Sequence, residues 1–162
     1  MNIRQFMKKD AEFCFKVRSS AFFQKFYDEL CPEMVAAGVN AYMPNDYIRM
    51  AEKMEFFIVE DNGLSVGFFT IKRKDATTAE IPLIYIDLNY LGRGIGKACI
   101  QFVEGWLSSN WIEVETLIVD TIIPKYNSGF YKRVGFMPTE ETTCDFLDLR
   151  VKALRFCKNL NS

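Results

Sequence analysis

Asn89-Tyr90-Leu91-Gly92-Arg93-Gly94-Ile95-Gly96-Lys97 places three glycines between a β-branched apolar run and a run of helical period. Upstream, Ile81, Leu83, Ile84 and Ile86 read as part of a strand over residues 78–88, in which Pro82 marks a local bulge or an edge. Downstream, Ile95, Cys99, Phe102, Val103 and Trp106 recur at helical spacing over residues 94–108, as a helix packed on a sheet requires. Glycines leave backbone N–H groups bare, and a helix start adds partial positive charge, so the loop suits an anion, a phosphate above all. The plain alternative is a glycine-rich turn that holds nothing.

Working outward, residues 56–59 and 65–71 are apolar runs separated by Asp61-Asn62-Gly63, a hairpin signal. Towards the N-terminus, residues 3–6 read as a short strand. Asp10 then caps a helix carrying Phe13, Val17, Ala21 and Phe26 inward. Cys31-Pro32 breaks that helix, and the apolar run through Gly38, Tyr42, Met43 and Pro44 reads as a connection forming part of a pocket wall before a helix starting near Asn45 or Asp46. Met34, Met43, Met50 and Met54 either line a ligand site or fill the core. Towards the C-terminus, residues 114–119 read as a strand and residues 127–133 as a short helix with a glycine exit at Val134-Gly135-Phe136. A last strand covers residues 146–152, ahead of a polar tail. Hairpin-linked strands among a few helices, with no regular alternation, repeat or linker, make an α+β fold, and residues 1–162 suit a single domain.

With 49% hydrophobic and 25% charged residues, the 162-residue chain has enough apolar material for one core. The formal charge of -1, without a long Lys/Arg block, argues against a nucleic-acid partner. No run is long and apolar enough for a membrane span, and residues 1–10 lack a signal-peptide apolar core, so the cytoplasm is the expected location. Five scattered cysteines fit neither a disulfide framework nor paired metal-ligand spacing, so no metal is expected. The chain has no histidine, which removes Ser-His-Asp and Cys-His nucleophiles, the His-Glu-x-x-His zinc site and any imidazole base.

Spacing tests the glycine loop against familiar phosphate sites. A Walker loop ending on Gly96-Lys97 needs glycine at 91 and a hydroxyl at 98, and finds Leu91 and Ala98. A dinucleotide fingerprint from Gly92 needs a small residue where Lys97 stands; from Gly94 it reaches Cys99. Leu91-Gly92-Arg93-Gly94-Ile95-Gly96 instead resembles the coenzyme A loop of the GNAT acyltransferase family, Gln/Arg-x-x-Gly-x-Gly/Ala, with Leu91 in place of the first Gln or Arg. Phe130-Tyr131-Lys132-Arg133-Val134-Gly135-Phe136 resembles that family's second motif, a helix bearing Phe/Leu-Tyr and closing on Gly-Phe. Glu80 lies at the spacing where histone-type members carry a general base. The resemblance runs from about Glu55 to Phe136.

The resemblance implies a mixed, mostly antiparallel central sheet flanked by helices, and acetyl-CoA as acyl donor. The pyrophosphate would lie on the amides of Leu91, Gly92, Arg93, Gly94, Ile95 and Gly96, and the pantetheine between strands ending near Leu88 and Asp120. A main-chain N–H within Ile86, Asp87 and Leu88 would meet the oxyanion. Tyr131, beside Phe130, would protonate the leaving thiolate, and Glu80 would act as base, with Asp87, Asp120 or water as alternatives. Arg93 and Lys97 stand either on phosphate or in solvent; Asn127 either caps its helix or touches CoA; Glu80 is a base or an ordinary solvated carboxylate. The implied activity is N-acetyl transfer to a primary amine of a small molecule, peptide or protein by direct attack. A non-catalytic acyl-CoA-binding module is the alternative, and neither the acceptor nor a homodimer is readable.

Overall fold

A computed structural model describes residues 1–122, 128–146 and 149–161. The elements run β1 (Asn2–Gln5), α1 (Ala11–Phe26), α2 (Pro32–Asn40), α3 (Pro44–Ala51), β2 (Glu55–Asp61), β3 (Leu64–Arg73), β4 (Thr78–Glu80), β5 (Ile84–Ile86), α4 (Ile95–Asn110), β6 (Thr116–Ile122), α5 (Ser128–Arg133), β7 (Met137–Phe146) and β8 (Leu149–Asn159). The strands form one sheet in the order β1-β2-β3-β4-β6-β8-β7, with β5 also on β3. Pairing is antiparallel except for β4 with β6. The fold is therefore α+β, a mostly antiparallel sheet with helices on both faces.

The hairpin β2–β3 forms where expected, turning on Asn62 at φ 51° and Gly63 at φ 79°, the left-handed pair a tight hairpin needs. Alternation along its strands then divides the core. Phe57, Val59, Phe69 and Ile71 pack with Ile95, Cys99, Val103 and Leu107 of α4, whereas Phe56, Ile58 and Phe68 pack with Ala11, Cys14 and Val17 of α1 and Tyr47 of α3. A third cluster joins Phe22 and Phe26 of α1 to Val151 of β8. Full burial of such side chains stabilises by about 1.5–3 kcal/mol each, far more than solvent-screened surface ion pairs contribute, so these clusters carry the fold.

Three expectations are corrected. The stretch after Cys31 is a helix, not a connection. Pro32 begins it, since its fixed φ and missing N–H suit a first turn, and Gly38 is accommodated inside it because the Phe22 ring occupies the space a Cβ would need. In α1 the buried stripe includes Cys14, Arg18, Phe22 and Phe26 rather than Phe13 and Ala21, which are only partly buried. The last strand, expected over residues 146–152, is β8 (Leu149–Asn159), which continues through the expected polar tail and is paired on both sides by β6 and β7. β7 is rich in Glu and Thr because it is an edge with solvent on one side, so its sequence lacks apolar alternation.

The irregularity at Pro82 is the feature that shapes the site. Ala79 and Ile81 pack towards α4, but Leu83 and Tyr85 pack towards α1, while Ile84 and Ile86 return to the α4 side. One extra residue therefore reverses the parity of the strand, as a β-bulge does. Leu83 donates to Thr70 Oγ1 at 3.2 Å while Thr70 N–H donates to the Leu83 carbonyl at 2.9 Å. Pairing with β6 ends here: Ile81 donates to the Ile118 carbonyl, and β5 is registered against β3 alone. A proline, having no N–H, fits the point where the ladder opens.

Candidate functional site

Between β5 and β6 the sheet splays, and a cavity of about 1250 Å³ occupies the gap. Its wall runs from the glycine loop and the start of α4, past Ile84, Ile86, Val119 and Tyr131, to Glu80, Tyr85, Arg18 and Phe22. The first group lies on the α4 face of the sheet and the last on the α1 face, so the cavity passes from one side of the sheet to the other.

The loop presents open backbone amides. Asp87 N-caps a 3-10 turn over residues 88–90, accepting from the Asn89 amide at 2.9 Å, and the chain then reaches Gly92 and Gly94 at φ 77° and 78°. Nothing lies within 4 Å of where a Cβ would stand on either glycine. Gly94 is the N-cap of α4, and the first amide with an intrahelical partner is Ala98, which donates to the Gly94 carbonyl at 3.1 Å. The N–H groups of Gly94, Ile95, Gly96 and Lys97 thus have no partner within the helix, beside the positive end of its dipole. Gly96 has a different role: a Cβ there would sit 3.0 Å from the Phe130 ring, so glycine lets α5 pack on the helix start.

Leu91, Gly92, Gly94, Ile95, Gly96 and Lys97 line the cavity, as do Ile86, Leu88 and Phe130. Arg93 does not: its guanidinium folds over the Tyr90 ring at 4.8 Å and donates to the Asn89 carbonyl. Asp87 also lies outside the cavity lining; its N–H donates to the Val66 carbonyl at 2.8 Å and its carboxylate holds Asn89. Since alternate N–H groups along a strand face opposite edges, the Asp87 bond to β3 turns the Ile86 N–H towards the splay. Asn127 lies outside the described residues.

Tyr131 lines the cavity with its ring stacked on Phe156 at 5.4 Å and edge-on to Phe136. Burial, with a smaller contribution from Tyr85, pushes its phenol well above the usual tyrosine value, so it keeps its proton. Glu80, between the α4-facing Ala79 and Ile81, projects to the α1 face and lines the cavity there. Asp120 is held by Arg155 through two bonds of 2.8 Å, which leaves it poorly placed as a base. Burial first, and then the charges of Asp120, Asp145 and Glu80, push the Cys144 thiol up to about 11, so this cavity cysteine is not a thiolate near neutral pH. No cluster of His, Cys, Asp and Glu suited to a metal occurs among the described residues.

Sequence reading missed Arg18, Tyr85 and Cys144 as wall residues. A signal existed for Arg18: it is a charged residue in the i, i+4 stripe Cys14, Arg18, Phe22, Phe26. None existed for Tyr85, whose facing depends on the bulge. Of the apolar stretch expected in the wall, Tyr42 lines the cavity. None of the four methionines considered for a ligand site does; Met34 and Met50 pack in the core clusters.

No curated protein matches the sequence. Among solved structures, a GCN5-related N-acetyltransferase from Rhodopseudomonas palustris is similar with a TM-score of 0.80 and 19% identity over 98% of this chain and 94% of that one. The PaiA N-acetyltransferase of Thermoplasma acidophilum, solved in complex with coenzyme A, gives 0.77 and 16% over 98% of both chains. A GNAT family acetyltransferase from Elizabethkingia anophelis, with acetyl-CoA bound, gives 0.57 and 16% over 71% of this chain and 82% of that one. These likenesses establish the shared fold. The family model for the acetyltransferase (GNAT) domain matches residues 52–138, more than half of the chain and the part that holds β2 to α5, the glycine loop and the splay. By that match the chain is a member of the GNAT acetyltransferase family.

Proposed function

We propose that the protein transfers an acetyl group from acetyl-CoA to a primary amine by direct attack. The observation that carries this reading is the continuity of the cavity, from the amides at the start of α4 that have no partner within the helix, through the splay, to Glu80 on the opposite face. Acetyl-CoA fits that path: its phosphates suit the amides of Gly94, Ile95, Gly96 and Lys97, where open glycines allow close approach. Its thioester would lie beside the Ile86 N–H, which is oriented to receive the developing oxyanion. Tyr131 is suited to protonate the departing thiolate, and Glu80 to take a proton from the incoming amine directly or through water. Direct attack needs no enzyme nucleophile, in keeping with a protonated Cys144 thiol.

The departure at Leu91 gives little weight to a non-catalytic binding role. Its side chain is 58% exposed, and the loop offers main-chain rather than side-chain groups. Thiol release from acetyl-CoA is the measurement that tests the proposal, using a broad primary-amine panel with and without the protein. Amine-dependent release above background is expected. Acetyl-CoA binding without such release for any amine would overturn it.

A further inference from the structure

Arg18 is 1% exposed, on α1, and lines the cavity. Its Nη1 donates to the Gly38 carbonyl at 2.6 Å near the end of α2. Its Nε is buried with no hydrogen-bond partner, and no carboxylate among the described residues pairs with the side chain. Rings lie around the guanidinium: Tyr42 at 4.7 Å, Phe22 at 5.4 Å and Tyr85 at 5.8 Å from its central carbon. Aromatic quadrupoles and a helix C-terminus soften the cost of burying a cation but leave in-plane N–H donors unused. Other partly buried arginines here are treated differently: Arg4 meets Asp10 and Glu60, and Arg155 meets Asp120 and Glu140. Arg18 alone among these three has no anion, and it is the one that faces the cavity.

Glu80 lies on the same face of the sheet, and it too has no ion pair among the described residues. The α1 side of the cavity therefore offers one unneutralised carboxylate next to the splay and one unneutralised guanidinium beyond Tyr85. A ligand complementary to both carries an amine at one end and a carboxylate at the other. We propose that the acceptor is an amino-carboxylate, an amino acid or a molecule of that chemical class, whose carboxylate pairs with Arg18 while its amine is directed to the acyl group. This rests on the transfer reading above and narrows it to a substrate class. Planar guanidinium and carboxylate match geometrically, and a carboxylate would neutralise the charge that the rings and the Gly38 carbonyl only partly offset. Aromatic walls at Tyr42, Tyr85 and Phe22 favour an apolar body between the two charged ends.

The test uses a matched pair of probes without the amine, 3-phenylpropionate and 3-phenylpropionamide, titrated by calorimetry into the full chain in the presence of CoA. The carboxylate is expected to bind at least tenfold more tightly than the amide, and Arg18→Met to abolish that difference with CoA binding retained. Equal binding of the two probes, failure of both to bind, or a carboxylate advantage that survives Arg18→Met would overturn the proposal. The wild-type comparison stands even if the variant does not fold. In parallel, thiol release is compared for amino acids and their carboxamides. Faster release with the free acids supports the assignment, and faster release with the amides overturns it while leaving acetyl transfer intact. No release with any amine, alongside retained carboxylate selectivity, would remove the transfer reading and keep the Arg18 site.

Discussion

In the proposed reaction Tyr131 is the proton donor on the α4 side of the splay, and its surroundings suit that task. Its ring is stacked on Phe156, and burial raises the phenol above the ordinary value of about 10, so the protonated donor persists in mildly alkaline solution. Tyr131→Phe keeps the stacking and removes the proton. Turnover should fall about 10²-fold, with the CoA dissociation constant changed less than about threefold, since the hydroxyl makes no uniform binding contact; unchanged turnover would remove Tyr131 as the acid. The pH–rate profile checks the same residue. A decline owing to loss of the phenol proton should be absent between pH 8 and 10 in the wild type, because the folded value lies above that range. Glu80→Gln removes the proposed base but keeps a hydrogen-bonding side chain of the same size. A fall in turnover of about 10²-fold or more is expected, with an altered pH–rate profile; an intact profile would assign the proton to water or another group.

At the scale of the element, α4 matters through its first turn. Gly94 adopts φ 78° as N-cap, a conformation costing an L-residue about 1–2 kcal/mol. Gly94→Ala should therefore lower stability by about that amount and weaken CoA binding as well, because a methyl group would project into the open space above the loop amides. Equilibrium denaturation and a CoA titration check the two effects separately. Gly96→Ala should act differently, through the Phe130 ring 3.0 Å away, shifting α5 and with it Tyr131. At the other edge, Arg4 ties β1 to the start of α1 by pairing with Asp10 and to β2 by pairing with Glu60. Burial works to raise the Asp10 carboxyl, but bonds from Arg4 and the Met7 amide hold it below its ordinary value. Its contribution to stability is therefore present above the unfolded value of about 3.9 and lost as pH falls through the lower folded value. Arg4→Met, which leaves Asp10 without its partner, should cost about 2 kcal/mol at neutral pH, read as a lower urea midpoint at unchanged slope.

Across the whole molecule, the core contains protons that the folded state will not release. Cys14 and Cys99 are fully buried, and burial raises both thiols, Cys99 to about 12. Unfolded thiols ionise near their usual value of about 8.5, so above that pH the unfolded chain binds fewer protons than the folded one. Stability should then fall as pH rises from about 9, by up to about 1.4 kcal/mol per pH unit for each such group. Denaturation midpoints at pH 8, 9 and 10 would show this slope, and Cys99→Ala should flatten it. The same sheet that buries these groups opens at Pro82, and no helix among the described residues is long and apolar enough to cross a membrane. A cavity spanning both faces thus arises from one irregular strand between two cores.

Amino-acid order alone determined the elements whose signals are local. The Asn62-Gly63 turn, the glycine start of α4 and the Tyr131 to Phe136 exit are set by left-handed glycines and by apolar spacing within a few residues, and all three occur as read. The aliphatic run after Thr78 likewise announced a strand, and Pro82 its irregularity. Packing decided what local signals leave open. α2 reads as a connection until the Phe22 ring is found against Gly38, and β7 lacks clear apolar alternation because an edge strand meets solvent on one side. The site divides in the same way. The proposed cofactor side is a continuous segment with backbone donors, and therefore legible. The proposed acceptor side joins Arg18, Tyr42, Glu80 and Tyr85 from separate elements, and a parity reversal at one proline decides which of them share a face.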